Sequence, residues 1–456
     1  MTAVPERIDD DALLIPRFVL GAAKSDSGKT TLALGLITAL QRRGLNVAAA
    51  KVGPDFIDAA HLAAASGQPA RNLDAWLAPE SVVIDSFVRG YRNADAVVIE
   101  GVMGLFDGRH GSGEGSTAHV ARLLAAPVVL VLDCSKASTT VGAIAYGLAR
   151  YDPRIRVVGA ILNQVASPSH AATTRAAVAA ADVPVLGIVR RDDRLGLERR
   201  HLGLVEPGSD EWHTTVAAIA DMVEREIDID AILAAARAVP PLPLTVDHGI
   251  PGRNVRIALA RDEAFWFYDE ASLDALRDRG AQLVPYSPLH DPFPSVDGAI
   301  IGGGYPEVHA AALFLNAAAR QGLREAISAG MPVYAECGGL MYLGESLEAA
   351  GETFAMVGSV PGCAIMSERR SALRYVEATT LADGPMFQTG EVVRGHEFHY
   401  STMTYARAAP AFALSDEPEG YIAANIHASY VHVHLGAQPH AVDRFLDAAR
   451  AFGGHA

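Results

Sequence analysis

Short apolar segments recur through the first half of the chain, and they constrain its fold more than any other feature. They are rich in Val, Ile and Leu, each is followed by small or turn-forming residues, and they cover residues 16–23, 47–52, 96–100, 128–133 and 157–162. Alanine-rich stretches typical of helices lie between them. Strands that are apolar throughout are buried on both faces, and their alternation with helices is typical of a parallel sheet. The sequence therefore predicts an α/β fold with a doubly wound sheet.

A segment rich in proline and glycine, residues 239–252, interrupts this pattern. It holds four prolines and two glycines, which do not suit the interior of a helix. The alternation then restarts, with strands predicted over 255–260, 281–285, 298–301 and 331–335 and a helix over 271–279. A chain of 456 residues also exceeds what one hydrophobic core supports. We expect two doubly wound domains, 1–238 and 253–456, joined by a linker at 239–252.

The composition excludes several classes of partner. The chain has 53 acidic and 38 basic residues, and a net charge of −15 disfavours nucleic acid because phosphate binding needs a basic face. The three cysteines, Cys134, Cys337 and Cys363, are too few and too scattered for a disulfide framework or a zinc site. The acidic N-terminal segment predicts no signal peptide, and no apolar run is long enough to span a membrane. We expect a cytoplasmic protein with no nucleic-acid or membrane partner.

Residues 16–43 predict a nucleotide site, because they combine a buried strand, a loop and the start of a helix. The loop ends in Gly28-Lys29-Thr30-Thr31. In such a loop the backbone N–H groups point at phosphate, the lysine reaches the β- and γ-phosphates, and the threonine hydroxyl binds Mg²⁺. The usual spacing of the motif places glycine at position 23, where this chain has Ala23, so the loop is a variant. We expect ATP as co-substrate and Mg²⁺ as cofactor.

Acidic side chains follow two other predicted strands. Glu100 closes the segment 96–100, and glycines follow it that allow backbone to approach a ligand closely. A carboxylate at the carboxyl end of such a strand lies where ligands gather in an open α/β sheet, and it can hold Mg²⁺. Asp55 and Asp58 come just after the segment 47–52, and one helical turn would place them on the same face. Taken alone, this last segment is more often a helix cap than a site.

Cys337 lies in Tyr-Ala-Glu-Cys-Gly-Gly-Leu-Met-Tyr-Leu, directly after a predicted strand. A cysteine on a sharp strand-to-helix turn is typical of a nucleophile elbow, where a thiolate attacks a carbonyl carbon and forms a thioester. The backbone N–H groups of Gly303, Gly304 and Gly338 would form the oxyanion hole. A cysteine nucleophile and a nucleotide site in one chain indicate two coupled reactions, release of nitrogen at one site and its ATP-driven use at the other.

Further motifs in the chain point to one family. They are KVGPDFID (51–58), RNLD (71–74), EGVMGLFDG (100–108), GSTAHVA (115–121), ILNQV (161–165), RHLGLV (200–205), GGGYPE (302–307) and SYVHVH (429–434). With SGKTT and the cysteine elbow, the chain resembles the cobyrinic/hydrogenobyrinic acid a,c-diamide synthase family of cobalamin biosynthesis over nearly its whole length. The resemblance implies an N-terminal ATP-dependent amide synthase domain, with a P-loop sheet similar to that of dethiobiotin synthetase. It also implies a C-terminal glutamine amidotransferase domain of class I, the triad type.

The resemblance also implies the chemistry and assigns residues to it. ATP phosphorylates the a- and c-side-chain carboxylates of cobyrinic or hydrogenobyrinic acid, and ammonia from glutamine displaces the phosphate from each acyl phosphate. Thr30, Asp55 and Glu100 are implied around Mg²⁺, and Asn163 falls where this fold reads the adenine. Four residues fall on the side of the polyanionic substrate or its activated form: Asp58, Asp107, Arg200 and His201.

The general base of the glutaminase site is either His432 or His434. His432 is favoured because related enzymes with SYxH or TYxH keep that histidine. The triad glutamate that usually follows two residues later is missing, since His434 stands there, so the third member comes from elsewhere or the site works as a Cys–His dyad. Glu397 and His399 have the chemistry of metal ligands, but nothing in the sequence complements them. For these two residues we expect a structural or domain-interface role.

Two other interpretations stay open. The first is a sibling amidase, nickel-sirohydrochlorin a,c-diamide synthase or cobyric acid synthase, although the latter carries a different segment in place of KVGPDFID. The second is an ATPase switch of the partitioning type. Lys24 stands five residues before Lys29, where a dimerising subgroup of P-loop ATPases carries a second lysine. That interpretation explains Lys24 but gives Cys337 no role, and a solvated loop lysine explains Lys24 equally well. We expect the protein to form a homo-oligomer, a dimer.

Overall fold

The computed structural model describes residues 12–192, 207–243, 254–407, 409–415 and 417–454. The chain forms two compact units, Met1–Val246 and Asp247–Ala456. The division falls within the segment 239–252, where prolines and glycines interrupt the alternation of strands and helices.

The first unit alternates strands and helices along the chain. Its elements are β1 (Ala12–Leu13), β2 (Arg17–Ala22), α1 (Lys29–Arg42), β3 (Val47–Val52), α2 (Phe56–Ser66), β4 (Arg71–Leu73), α3 (Glu80–Tyr91), β5 (Ala96–Glu100), α4 (Thr117–Leu123), β6 (Val128–Asp133), α5 (Thr140–Arg150), β7 (Val157–Val165), α6 (Pro168–Ala180), β8 (Val185–Arg190), α7 (Asp210–Glu226), α8 (Ile229–Arg237) and β9 (Leu242–Pro243). A short 3₁₀ turn lies at Arg109–Gly111.

Seven of these strands form one parallel sheet in the order β4-β3-β5-β2-β6-β7-β8. Strands β2, β3 and β5 are buried along their whole length, which is why their sequences are apolar on both faces. The short strands β1 and β9 form a separate antiparallel pair. The parallel α/β sheet predicted for this half of the chain is confirmed.

Helices α1 and α7 pack closely against each other on one side of this sheet. A Cβ added to Gly35 in α1 would lie 2.6 Å from Val223 and 2.7 Å from Ile219 of α7, so glycine is what allows this approach. Trp212 at the start of α7 is fully buried, and its Nε1 donates a hydrogen bond of 3.0 Å to His61 Nδ1 in α2. These contacts form one continuous core that holds α1, and with it the loop before α1, in a fixed position.

The second unit contains a similar alternation followed by a run of short strands. Its elements are β10 (Val255–Ala260), β11 (Phe265–Phe267), α9 (Glu270–Asp278), β12 (Ala281–Tyr286), β13 (Gly298–Ile301), β14 (Gly303–Gly304), α10 (Ala310–Leu315), α11 (Ala317–Ser328), β15 (Val333–Glu336), α12 (Gly338–Leu343), β16 (Ser346–Ala349), β17 (Glu352–Ala355), β18 (Gly362–Met366), β19 (Ala372–Thr380), β20 (Val392–His399), β21 (Ser401–Tyr405), β22 (Phe412–Ala413), β23 (Pro418–Glu419), β24 (Tyr421–Ala423), β25 (Ile426–Ser429), β26 (His432–Val433) and α13 (Pro439–Phe452). A 3₁₀ turn lies at Leu435–Ala437.

The second unit is built on a six-stranded sheet in the order β12-β10-β13-β15-β25-β24, which is parallel except for the edge strand β24. A five-stranded antiparallel sheet has the order β23-β22-β19-β20-β26, and a four-stranded sheet has the order β17-β16-β18-β21. Strands β11 and β14 form a further antiparallel pair. The parallel sheet agrees with the predicted fold class, whereas the alternation in the sequence does not predict the three additional sheets. Only two residues separate β25 from β26, so the chain passes there from the parallel sheet into the antiparallel one.

No helix among the described residues is both long enough and apolar enough to cross a membrane.

Candidate active sites

The glycine loop between β2 and α1 forms the first candidate site. Gly28 has a φ of 91°, a left-handed conformation that favours glycine, and α1 begins at the next residue. A Cβ at this position would also lie 2.2 Å from Asn163 Nδ2. This amide donates a hydrogen bond of 2.9 Å to the carbonyl of Ser27. Through Asn163, strand β7 therefore fixes the loop at the start of α1; the contact of Asn163 with adenine stays a prediction.

The helix opens with the motif residues Lys29, Thr30 and Thr31. Lys29 Nζ donates hydrogen bonds to the carbonyls of Met103, at 2.8 Å, and Lys24, at 3.2 Å. Burial lowers the pKa of Lys29. Thr30 Oγ1 donates to Glu100 Oε1 at 2.7 Å. The lysine head contacts two carbonyl oxygens in these bonds, and phosphate oxygens are the stronger, charge-assisted acceptors for it.

Lys51 lies at the carboxyl end of β3 in the middle of the predicted metal site. Its Nζ is 2.8 Å from Glu100 Oε1 and 2.5 Å from Asp58 Oδ2, and the residue is only 2% exposed. Burial alone would lower the pKa of Lys51, but the carboxylates of Glu100 and Asp58 outweigh it and raise this pKa. A buried lysine keeps its positive charge only beside such carboxylates. Two of the predicted acidic residues are therefore held together by one cation.

Glu100 ends the central strand β5 and is 1% exposed. Its Oε1 accepts from Thr30 and Lys51, whereas its Oε2 is buried and has no hydrogen-bond partner in the described part of the chain. Burial raises the pKa of Glu100, because the charged form loses its hydration. A buried carboxylate oxygen without a donor is a feature that a bound cation would explain.

Asp55 and Asp58 lie together at the start of α2, but with different partners. Asp55 is the N-cap of α2, and its Oδ1 accepts from the backbone N–H of Asp58 at 3.0 Å. Burial raises the pKa of Asp55. Burial would also raise the pKa of Asp58, but Lys51 outweighs it and holds this pKa below its usual value. The capping role expected for this segment is therefore present, and of the two aspartates Asp58 is the one hydrogen-bonded to Lys51.

Three further residues are predicted for this site: Asp107, Arg200 and His201. Asp107 is exposed, and its Oδ2 accepts a hydrogen bond of 2.9 Å from the backbone N–H of Gly104. A Cβ on Gly104 would lie 2.7 Å from the carbonyl of Ala23, so this turn lies against the glycine loop. Arg200 and His201 lie outside the described residues. In the described part of the chain no group of three or more His, Cys, Asp or Glu side chains is placed to hold a metal ion.

Cys337 forms the second candidate site at the end of β15. It has φ 49° and ψ −105°, a backbone conformation that is strained for a residue with a side chain. Helix α12 begins at the next residue, and the Cys337 N–H donates a hydrogen bond of 2.7 Å to the carbonyl of Ser429 in β25. The cysteine therefore occupies a sharp strand-to-helix turn, as the sequence predicts, and the neighbouring strand holds the turn in place.

His432, on the short strand β26, is hydrogen-bonded to Cys337. Its Nδ1 lies 3.2 Å from Glu336 Oε2. Burial alone would lower the pKa of His432, but the hydrogen bonds to Cys337 and Glu336 outweigh it and raise this pKa to about 10. Cysteine, histidine and a carboxylate are thus connected in one chain of contacts.

The glycines predicted to form the oxyanion hole lie around this group. A Cβ on Gly303 would lie 2.7 Å from His432 Cε1, so a larger residue would displace the imidazole. A Cβ on Gly338 would lie 3.3 Å from the backbone nitrogen of Gly304. The three glycines therefore adjoin the nucleophile and its histidine, while the binding of an oxyanion by their N–H groups stays a prediction.

The other histidines have different positions. His434 lies beyond the end of β26, and its Nε2 is 3.4 Å from Asp269 Oδ1, so it does not share the environment of His432. The ring of His396, on β20, stacks on His432 with ring centres 4.8 Å apart. Glu397 pairs with Arg374 at 2.6 Å, which supports the structural role expected for it.

Comparison with known proteins finds relatives that match nearly the whole chain. Residues 18–204 match the CobQ/CobB/MinD/ParA nucleotide binding domain family, and residues 256–440 match the CobB/CobQ-like glutamine amidotransferase domain family. The cobyrinate a,c-diamide synthase of Dehalococcoides mccartyi (strain CBDB1) is 41% identical over 96% of this chain and 99% of its own. The cobyrinate a,c-diamide synthase of Syntrophotalea carbinolica is 43% identical over 95% of this chain and 99% of its own. The hydrogenobyrinate a,c-diamide synthase of Streptomyces coelicolor is 39% identical over 97% of this chain and 99% of its own. The chain belongs to the a,c-diamide synthase family.

The sequence motifs do not identify two residues of these sites. Lys51 belongs to the motif KVGPDFID, in which the acidic residues are the predicted ligands, although a lysine inside the otherwise apolar strand VAAAKV is itself a detectable signal. Glu336 directly precedes Cys337, and its contact with His432 links residues that are 96 positions apart. No local pattern reveals such a contact.

Proposed function

We propose that this chain uses ATP to convert the a- and c-side-chain carboxylates of cobyrinic or hydrogenobyrinic acid into amides, with ammonia taken from glutamine. One observation carries the proposal: the same chain contains two sites. One is Cys337 on a strand-to-helix turn, hydrogen-bonded to His432, and the other is a glycine loop directly before Lys29. The names of the relatives support the macrocycle as substrate, because synthases of both acids match over nearly the whole chain.

The first unit activates the carboxylate. A carboxylate is a poor electrophile, and transfer of the γ-phosphoryl group of ATP to it gives an acyl phosphate with a good leaving group. Lys29, at the start of α1, would contact the β- and γ-phosphates. Lys51 holds the carboxylates of Glu100 and Asp58 together beside Thr30, and so keeps the site ordered. Ammonia then displaces phosphate from the acyl phosphate and forms the amide.

The residues present fit Mg²⁺ bound together with the nucleotide. The Thr30 hydroxyl, the carboxylate of Asp55 and Glu100 Oε2, which has no hydrogen-bond partner among the described residues, supply the oxygen ligands that Mg²⁺ prefers. Mg²⁺ at nucleotide sites takes one or two carboxylates from the protein and completes its shell with phosphate and water, so these few ligands are sufficient. When bound, Mg²⁺ would supply positive charge that neutralises the phosphate oxygens during transfer.

Four residues are assigned to the substrate side of the first unit. Asp58 and Asp107 lie on the segments that follow β3 and β5, and we assign them to the reacting carboxylate or its activated form. Arg200 and His201 would pair with other carboxylates of the polyanionic macrocycle. The net charge of −15 makes such local cations necessary for binding an acidic substrate.

The second unit releases ammonia from glutamine. Cys337 attacks the carboxamide carbon, its proton passes to His432, and backbone N–H groups of Gly303, Gly304 and Gly338 stabilise the oxyanion. His432 gives the proton to the leaving nitrogen, so ammonia departs and a thioester remains on Cys337. Water then hydrolyses the thioester and releases glutamate.

Mass spectrometry of the tetrapyrrole products tests the proposal. The protein is incubated with ATP, Mg²⁺ and glutamine, and hydrogenobyrinic acid, cobyrinic acid and nickel-sirohydrochlorin are offered in parallel. We expect the mass change for replacement of a hydroxyl by an amino group, once and then twice, on one of the first two macrocycles. Conversion of nickel-sirohydrochlorin alone would replace the proposal by the sibling amidase, and ATP hydrolysis with no macrocycle converted would reject it.

A cytoplasmic location and a homodimer are part of the same proposal. The cysteines Cys134, Cys337 and Cys363 are free, which suits a reducing compartment. Lys24, the residue that suggested a dimer, contacts Asp133 of its own chain at 2.9 Å. Sedimentation of the protein with and without ATP measures the oligomeric state directly.

A further inference from the structure

A carboxylate lies behind His432, although the position two residues after it carries none. His434 stands there, and it is turned to Asp269, with His434 Nε2 3.4 Å from Asp269 Oδ1. The carboxylate is that of Glu336, the residue directly before the nucleophile, whose Oε2 is 3.2 Å from His432 Nδ1. Two different segments therefore meet at one imidazole.

The two oxygens of Glu336 have separate partners. Oε1 accepts a hydrogen bond of 2.6 Å from the Tyr334 hydroxyl and one of 3.0 Å from the backbone N–H of Val433. Oε2 faces His432. Two donors therefore fix the carboxyl plane through one oxygen and leave the other to accept from the imidazole. Val433 directly follows His432, so the same contact also holds the backbone that carries the histidine.

The strained turn explains how adjacent residues reach the same ring. Tyr334 and Glu336 are two positions apart on β15, so their side chains project on the same face of that strand. The positive φ of Cys337 redirects the chain immediately afterwards. As a result Glu336 faces Nδ1 of His432, which leaves Nε2 as the ring nitrogen for the thiol of Cys337.

We propose that Glu336 is the positioning residue of the glutaminase site and completes a Cys337–His432–Glu336 triad. It keeps the Nδ1 proton of His432 directed at itself, so that Nε2 takes up the thiol proton of Cys337. It then stabilises the imidazolium until that proton passes to the departing ammonia. The inference rests on the proposed glutaminase function of Cys337.

The charges around His432 agree with this role. The titratable groups that face it are Cys337, Glu336 and His396. Burial and the neighbouring His432 lower the pKa of His396 well below its ordinary value, so His396 is neutral and places no competing charge on the ring of His432. Glu336 is thus the group that supplies a negative charge on the side of the ring opposite the thiol.

The variant Glu336→Gln separates positioning from simple structural support. The amide oxygen can still accept from Tyr334 and Val433, but the NH₂ group would donate to His432 Nδ1 and force the proton onto Nε2, the wrong tautomer for a base. We expect a fall of about 10²- to 10⁴-fold in glutaminase kcat with little change in KM, because replacing the aspartate of a serine protease triad by asparagine has an effect of this size through the same wrong tautomer. Glu336→Asp should recover part of the activity, and Tyr334→Phe serves as the matched control because it removes only the support of Oε1.

Two further measurements keep the test decisive. Amidation supplied with ammonium salt instead of glutamine shows that Glu336→Gln is folded, since it needs no glutaminase chemistry. The alkylation rate of Cys337 by iodoacetamide, followed against pH, should fall at neutral pH in Glu336→Gln, because a histidine in the wrong tautomer cannot hold the proton of the thiol. A glutaminase kcat within about threefold of the original and an unchanged alkylation profile would overturn the proposal. If the unmodified protein released no ammonia from glutamine, the proposed function would fail, and the alkylation profile would still decide whether Glu336 acts on the Cys337–His432 pair.

Discussion

The two units place their reactive groups by different means. In the first unit, Lys51 on β3 and Glu100 on β5 are direct partners in the ladder of one parallel sheet, and Thr30 reaches the same carboxylate from α1. In the second unit, Cys337 follows a strand of the six-stranded sheet, whereas His432 belongs to the five-stranded antiparallel sheet. The first site lies at the carboxyl end of one sheet, and the second lies where two sheets meet beside a strained turn.

This difference determines what each site tolerates. The charges of the first site balance one another within the chain, because Lys51 is bonded to Glu100 and Asp58. The second site depends on geometry, since the positive φ of Cys337 and the space left by Gly303 both set the position of His432. Loss of a charge should therefore harm the stability of the first unit, while loss of a single contact should harm the chemistry of the second.

The largest expected effect separates the two chemistries. Cys337→Ala should abolish glutamine-dependent amidation, with a fall of more than about 10³-fold, because no other group attacks the carboxamide. Amidation supplied with ammonium salt should continue, since the nucleotide site is unchanged. Both rates are measured by the same product analysis. Persistence of glutamine-dependent amidation in this variant would show that Cys337 is not the nucleophile.

The counterpart in the first unit is Lys29→Ala. It removes the side chain expected at the β- and γ-phosphates, so amidation should fall by about 10²-fold or more with either nitrogen source. Hydrolysis of glutamine should remain measurable, because Cys337 and His432 are untouched. A variant that lost only the glutamine-dependent rate would contradict the assignment of the loop to ATP.

The sequence predicts much of the first site because its residues come in contiguous motifs. Gly28 and Thr30 belong to one contiguous motif at the start of α1, and Glu100 marks the end of an apolar strand, so local patterns locate them. Glu336 could not be found in this way. Its role depends on β26, which contains two residues, and on antiparallel strands that the alternation of apolar segments did not indicate. The sequence shows that the usual triad glutamate is absent two residues after His432, but it does not show which carboxylate takes its place.

The next expected effect is on stability, in Lys51→Met. Lys51 is 2% exposed and neutralises two carboxylates, so its removal should leave uncompensated buried charge and lower the free energy of unfolding by about 3 kcal/mol. Denaturant unfolding measures the change, and unfolding of the second unit provides an internal reference. A stability equal to that of the original protein would show that the carboxylates do not need Lys51 as a counter-charge.

Acid should destabilise the second unit through His427. This residue is fully buried, and neither ring nitrogen has a hydrogen-bond partner among the described residues. Burial lowers its pKa to about 3. The unfolded chain takes up a proton below a pH of about 6.5, whereas the folded chain does not until about 3, so the stability present above pH 6.5 is lost progressively as the pH falls.

The variant His427→Leu tests this dependence, with His440→Leu at an exposed histidine as the control. Between pH 6.5 and 5 the original protein should lose about 2 kcal/mol through this group, and His427→Leu should lose correspondingly less. Burial also lowers the pKa of His61 in the first unit, to about 4, so His61 changes the stability with pH in the same direction. Unlike His427, His61 has a hydrogen-bond partner, because Trp212 Nε1 donates to its Nδ1 at 3.0 Å. Equal acid sensitivity of His427→Leu and the original protein would refute the assignment.

The smallest effect is expected for Lys24→Met. The Lys24 side chain is 65% exposed, and its pair with Asp133 at 2.9 Å is therefore screened by water. Its removal should change the free energy of unfolding by less than about 1 kcal/mol, in contrast to Lys51→Met. If Lys24 only contacts Asp133, ATP-dependent amidation should also be nearly unchanged. A large loss of amidation at unchanged stability, most severe at low protein concentration, would instead show that Lys24 acts on the nucleotide of a neighbouring subunit.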